Sequence, residues 1–195
     1  MIGNRDIVEH LVKLLRRELE PTARLLEQMK GIPVGSVVVP NSRDIHPTWV
    51  DVIALNRYPS IMVTLENTDV RATTRQTEVS AEYDEFSWAY RLRITQHVMG
   101  TDYGLTEEAR RNLLDTLRLL LMRNRTIWRD KERAEQAIFH PLTMREEFMG
   151  ADEGGKILLE SHTLIDVHSQ ERVPAAQPSR GPGTVAIHPA LIGEP

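Results

Sequence analysis

Apolar and polar positions along the chain follow two periods, and the switches between them mark out the elements. Asp6 can cap a helix whose apolar residues Ile7, Leu11, Leu14 and Leu15 recur at helical spacing, with Val8, Val12 and Leu19 flanking them. Lys13, Arg16, Arg17 and Glu18 lie on or beside its solvated side. Glu20-Pro21 predicts a break or kink, because proline lacks the amide hydrogen and disfavours helical geometry in the residue before it. A second short helix is expected from Thr22 to Lys30, carrying Leu25, Leu26 and Met29 and stopping at Gly31. Residues 32–56, interrupted by Pro33, Pro40 and Pro47, read as a wandering connection with one short strand at Val37-Val38-Val39.

Beyond that connection the period becomes two. Ile61, Val63 and Leu65 share one face of a strand that follows Pro59. A polar stretch, 67–85, contains neither glycine nor proline and reads as a long loop. In the strand after it, Trp88, Tyr90, Leu92, Ile94 and Val98 alternate with Arg91, Arg93, Thr95 and His97, so one face belongs to a core and the other to water or a polar partner. Gly100 to Tyr103 turns the chain. A helix from Thr106 to Arg125 follows, with Thr106 as its N-cap and a buried stripe of Ala109, Leu113, Leu117, Leu120 and Leu121. Its basic residues Arg110, Arg111, Arg118 and Arg123 face out or lie near the edge, and Glu107, Glu108 and Asp115 dilute them, so it reads as an amphipathic cover for the sheet.

A mixed stretch, 127–141, precedes a hairpin. Leu142, Met144, Glu146 and Phe148 mark one strand, residues 150–155 the turn, and Ile157, Leu159, Ile165 and Val167 the returning strand. The predicted fold class is α+β: a mostly antiparallel sheet of about four strands with helices packed on one face, spanning residues 1–172. From Val173 the character changes to a Pro/Gly-rich C-terminal arm, 173–195, expected to be extended. Val185, Ile187, Leu191 and Ile192 are apolar residues that a plain linker would not need, so docking onto a neighbouring copy is favoured over a solvated tail.

Composition narrows the function classes. A net charge of -4 argues against a domain built to grip a phosphate backbone, which would be basic. The absence of cysteine removes thiolate metal sites, cysteine nucleophiles and disulfides. The densest apolar run, Leu113 to Met122, is short for a bilayer and contains Asp115 and Arg118, so no membrane role is expected. With no secretory leader in view, the expected setting is the inside of a cell or a particle assembled there.

Catalytic signatures are missing from the sequence: there is no Gly-rich phosphate loop, no nucleophile elbow and no His-Glu-x-x-His. Accordingly no catalytic residue, metal ligand or cofactor is assigned. The best metal candidate is His162, Asp166 and His168 on one strand face, and solvent-facing alternation accounts for those residues equally well. Glu78, Glu82, Asp84 and Glu85 make an acidic loop, which could let DNA pass without sticking. The face bearing Arg91, Arg93 and His97 is either solvated or set against an acidic surface of a neighbouring subunit.

The order of these elements resembles the tail terminator proteins of long-tailed bacteriophages. The resemblance spans Asp6 to His168: an amphipathic first helix, the Pro-led strand Tyr58-Pro59-Ser60-Ile61-Met62-Val63, a long polar loop, the alternating strand Trp88 to Val98, a helix with an acidic start, and a hairpin. The connection at 32–56 and the arm depart from the family's compact pattern. The resemblance implies a structural virion protein forming a homohexameric ring at the head–tail junction. That ring would end tube polymerisation and contact the tail tube protein and a head-side connector or stopper protein, with DNA passing through the lumen unbound. The loop 67–85 would then face the lumen or the adjacent ring, the Arg91/Arg93 face a neighbouring subunit, and the arm another chain. Two alternatives belong beside it: another neck protein, such as a head-completion or stopper protein, and a small metal-dependent enzyme using His162, Asp166 and His168.

Overall fold

The computed structural model describes residues 4–51, 57–72, 83–130, 135–141, 144–153 and 155–174. The chain opens with one continuous helix, α1 (Asn4–Lys30), rather than two pieces joined at a break. Pro21 lies inside it and is exposed. Its ring therefore points to solvent, where water can satisfy the Arg17 carbonyl that has lost its amide partner. Thr22 Oγ1 donates to the Glu18 carbonyl at 2.7 Å, holding the turn on the buried side. The apolar stripe behaves as the spacing predicts, with Ile7, Leu11 and Leu15 fully buried and Leu14 and Leu19 nearly so. Gly31, at φ 65°, ends the helix, and the Ile32 amide returns to the Glu27 carbonyl.

The connection that follows has an internal tether in place of the expected strand at 37–39. Glu27, on α1 and 1 % exposed, accepts hydrogen bonds from the Gly35 and Val37 amides at 2.8 and 2.9 Å. A small apolar cluster of Ala23, Leu26 and Val37 sits beside that tether. The strand in this region comes later, at β1 (Ile45–His46), after a 3-10 turn over Ser42–Asp44.

The sheet is larger than the pattern predicts. To β1 are added β2 (Ser60–Ala72), β3 (Tyr83–Gly100), β4 (Thr126–Asp130), β5 (Glu135–Phe139), β6 (Arg145–Glu153) and β7 (Lys156–Pro174), with helix α2 (Tyr103–Arg123) between β3 and β4. The order is β1-β2-β3-β7-β5-β4, and β6 also pairs with β7. β1 runs parallel to β2 and the remaining pairs are antiparallel, so among the described residues the α+β sheet has seven strands and is mixed, not four-stranded. Strands β4 and β5 occupy the stretch 127–141 that lacked a clear period. Each is five residues long, and a register shift between Thr126 and Trp128 breaks the alternation.

Two further expectations are corrected at strand ends. The loop 67–85 shrinks, because Asn67–Ala72 continues β2 and Tyr83–Glu85 begins β3. The hairpin turn is also shorter, since Gly150 to Glu153 still pair within β6. Val173 and Pro174 belong to β7, and residues 175–195 of the proposed arm lie outside the described residues.

One face of this sheet carries the core. Ile61 and Val63 of β2, Tyr90, Leu92 and Ile94 of β3, Phe139 of β5 and Ile165 and Val167 of β7 form one cluster with Leu113, Leu117, Leu120 and Leu121 of α2 and the stripe of α1. Both helices thus cover the same face. Both predicted caps move: Asp6 lies within the first turn of α1, which begins at Asn4, and Asp102, not Thr106, caps α2, accepting from the Leu105 amide at 2.8 Å. Thr106 sits one turn inside, buried, its hydroxyl donating to the Asp102 carbonyl at 2.5 Å. Lys30 Nζ ties the end of α1 to α2 through Asn112 and Asp115 at 2.9 and 2.7 Å.

Candidate functional site

The face of the sheet opposite the helices holds a groove of about 930 Å³. Strand register builds its floor row by row. Across β2, β3 and β7 the rows are Ser60–His97–Glu160, Met62–Thr95–His162 and Thr64–Arg93–Leu164. Adjacent strands place partners on the same side, so the period-two alternation of β3 and β7 brings these side chains together from distant parts of the chain. A bulge between Leu65 and Asn67 inserts Glu66, so that Glu66 reaches Arg93 while Asn67 still pairs with Arg91. Trp49, Val50 and Asp51 form one wall, and the Val50 amide lies 3.1 Å from Met62 Sδ.

The three sequence-predicted residues Arg91, Arg93 and His97 all line this groove. Their chemistry is not that of an unmatched basic face. Arg91 grips Asp166 with two hydrogen bonds, at 2.9 and 3.3 Å, and Arg93 pairs with Glu66. Each guanidinium is thus paired with a carboxylate of the same chain. A partner at this face would meet matched ion pairs, which give geometric selectivity more than net attraction.

His97 is buried at 4 % exposure and belongs to the groove floor. Its Nε2 lies 3.7 Å from Glu160 Oε1, and His162 Nε2 lies 3.0 Å from the same oxygen. His162 Nδ1 and Thr95 Oγ1 are 3.0 Å apart. Burial holds the His97 imidazole below its ordinary titration range; the Glu160 carboxylate opposes this and His162 reinforces it. Two imidazoles therefore share one carboxylate.

The metal-ligand trio suggested by the sequence does not converge. His162 turns to Glu160 and Thr95, Asp166 to Arg91, and His168 packs edge-on against His140 with ring centres 5.1 Å apart. Among the described residues no three His, Asp or Glu side chains are arranged to hold a metal ion. His162, Asp166 and His168 are thus divided among three separate sets of partners.

The acidic residues divide. Asp84 and Glu85 lie on β3, opposite Val173 and Arg172 of β7, while Glu78 and Glu82 lie outside the described residues. Val185, Ile187, Leu191 and Ile192 lie outside them as well. Sequence reasoning missed Glu66, Glu160 and Trp49. Glu160 was within reach, because it shares the alternation of His162 and Asp166. Glu66 needed the bulge, and Trp49 sits in a connection without a period.

No protein-family model matches this chain and no curated protein sequence is similar to it, so the reading of its function rests on its own residues.

Proposed function

We propose that this chain is a tail terminator of a long-tailed bacteriophage. In that role it is a non-catalytic structural protein whose copies form a ring, a hexamer, at the head-proximal end of the tail tube. The ring ends tube polymerisation and offers its other side to a head-side connector or stopper protein. The observation that carries this reading is the set of long strands: β2, β3 and β7 are 13, 18 and 19 residues long and remain paired well past the Tyr90–Val167 core pair. Strands of globular domains average about 5–6 residues. A three-strand ribbon that outruns its own core serves contact with something outside the subunit. The helices cover one face and leave the grooved face for neighbours, in keeping with subunits that pack side by side around a lumen.

In this arrangement the far end of the ribbon, where β3 carries Asp84 and Glu85, faces the lumen or the next ring, where negative charge repels passing DNA. The test is tube assembly. Purified tube protein polymerised with this chain is expected to give tubes of limited length, each bearing one ring at one end by electron microscopy. Tubes of unrestricted length, or a particle reconstruction placing the chain away from the head–tail junction, overturn the proposal.

A further inference from the structure

One row of the groove floor holds polar side chains that stand side by side without bonding. Ser60 of β2, His97 of β3 and Glu160 of β7 are direct cross-strand neighbours on one face of the sheet. Such neighbours have Cβ atoms about 4.5–5.5 Å apart, close enough for their polar ends to meet. Ser60 and His97 are both buried. Yet, among the described residues, neither Ser60 Oγ nor His97 Nδ1 has a hydrogen-bond partner. On the other side, the 3.7 Å from His97 Nε2 to Glu160 Oε1 is an ion-pair separation, longer than a hydrogen bond. Buried polar groups are nearly always bonded, so a row with both contacts of its middle residue unmade calls for a reason.

The chemistry of the ring supplies one. A neutral imidazole has one donor and one acceptor, whereas an imidazolium has two donors. His97 is flanked by a carboxylate and a hydroxyl, and both can accept from the charged ring. Bonds to a charged group are roughly twice as strong as neutral ones, so the proton makes both contacts worth closing. Burial, the largest influence on His97, holds it uncharged until the pH falls below its ordinary range; Glu160 opposes this and His162 reinforces it. The other charged and titratable groups on this face are engaged or further off. Arg93, on the same strand, pairs with Glu66 of β2, and Arg91 pairs with Asp166 of β7. His162 faces Thr95 and Glu160, and Glu147 of β6 lies opposite it. His46 of β1 stands opposite Met62, one row along, and Asp51 is in the wall.

We propose that His97 is an acid-operated clamp: on taking up a proton it closes onto Glu160 through Nε2 and onto Ser60 through Nδ1, tying β2, β3 and β7 together across the groove floor. The movement needed at Glu160 is about 1 Å, the difference between the present separation and a charge-assisted hydrogen bond. Glu160 Oε1 also lies 3.0 Å from His162 Nε2, so the movement is felt in the next row, Met62–Thr95–His162. The groove floor therefore has two states set by pH. The device belongs to the single chain and does not depend on the ring reading.

Nuclear magnetic resonance of the histidine rings in the full chain, titrated downward from pH 8, tests the clamp. His97 is expected to take up its proton while the chain is still folded, with a midpoint below the ordinary 6.5. In the acid form both of its ring N–H groups should appear as signals protected from exchange with water. Ser60→Ala, a nearly isosteric change that removes only the hydroxyl acceptor, should move the His97 midpoint further down. Glu160→Gln, which keeps an acceptor but removes the charge, should also lower it. A His97 midpoint unmoved by either substitution overturns the proposal. So do ring N–H groups that exchange freely in the acid form, or a ring that stays neutral until the chain unfolds. The wild-type exchange measurement decides the matter even where a variant folds poorly. Tube assembly is a separate readout: uncapped tubes remove the terminator role and leave the clamp standing, and an unclamped ring does the reverse.

Discussion

At the residue scale, two buried ionisable groups have effects that can be measured directly. His97 lies under the groove, where burial favours its neutral form while Glu160 at 3.7 Å partly offsets that preference. The unfolded chain binds a proton to this residue near its ordinary pKa of 6.5, whereas the folded chain resists until lower pH. The folded state thus holds fewer protons in that window, and its stability is full above about pH 6.5 and falls as the pH drops through it. His10 and His46 are shifted in the same direction, also by burial, and add to the effect. Urea unfolding between pH 8 and 5.5 should show a falling midpoint, and His97→Gln should flatten part of that fall. Staying above pH 5 keeps Glu107 out of the titration, because hydrogen bonds from Arg110 and Arg111 hold its carboxyl below its ordinary 4.5. Glu27 gives a second test. It holds the Gly35 and Val37 amides from inside the protein, so Glu27→Ala leaves two donors without their acceptor and should cost about 2–4 kcal/mol of unfolding free energy. Glu27→Gln keeps one carbonyl acceptor and should cost less.

At the element scale, α1 and the β3–α2 junction show how context overrides a local signal. Pro21 predicts a break, yet α1 runs through it, because the proline sits on the solvent side and the buried stripe is continuous from Ile7 to Leu26. Tertiary packing outweighs a local helix cost of up to about 3 kcal/mol. Pro21→Ala should then stabilise the protein by about 1–2 kcal/mol in chemical denaturation, the helix gain being reduced by the greater freedom of the unfolded chain. At the start of α2, a Cβ on Gly100 would lie 2.2 Å from Thr106 Oγ1, whose hydroxyl is fixed on the Asp102 carbonyl. Gly100→Ala should destabilise by about 1–3 kcal/mol through overpacking, and pairing it with Thr106→Ser should leave much of the penalty, since the oxygen remains. In the core, Leu117→Ala opens a cavity between α2 and the sheet and should cost about 2–5 kcal/mol. Periodic elements were legible: the stripes of α1 and α2, the faces of β3 and the hairpin. The short strands β1, β4 and β5 were not, because two to five residues do not establish a period and a register shift erases one.

At the scale of the whole molecule, charge and shape make one prediction that is independent of tube assembly. With a net charge of -4 and the groove arginines already paired, the protein should not retain duplex DNA in a gel-shift assay at physiological salt. Retention that weakens steeply with salt would show a phosphate-binding surface and count against a ring that lets DNA slide. Half of the candidate site was legible in the sequence. Arg91, Arg93 and His97 lie on one strand, and alternation alone assigns them to one face. Their partners Glu66, Asp166 and Glu160 sit 27, 75 and 63 residues away in sequence, and only strand pairing brings them across.

The sequence by itself determined which faces are apolar, where α1 ends and α2 begins to within a turn, the α+β class, and the lack of cysteine chemistry. These follow from local periodicity and composition, which folding does not change. The tertiary structure decided that the described residues form a mixed sheet of seven strands, that β2 and β3 run into what reads as a polar loop, and that the arginine face is internally neutralised. Those properties depend on register between distant segments. A strand whose side chains are polar on both faces carries no signal of its own until a partner supplies its hydrogen bonds.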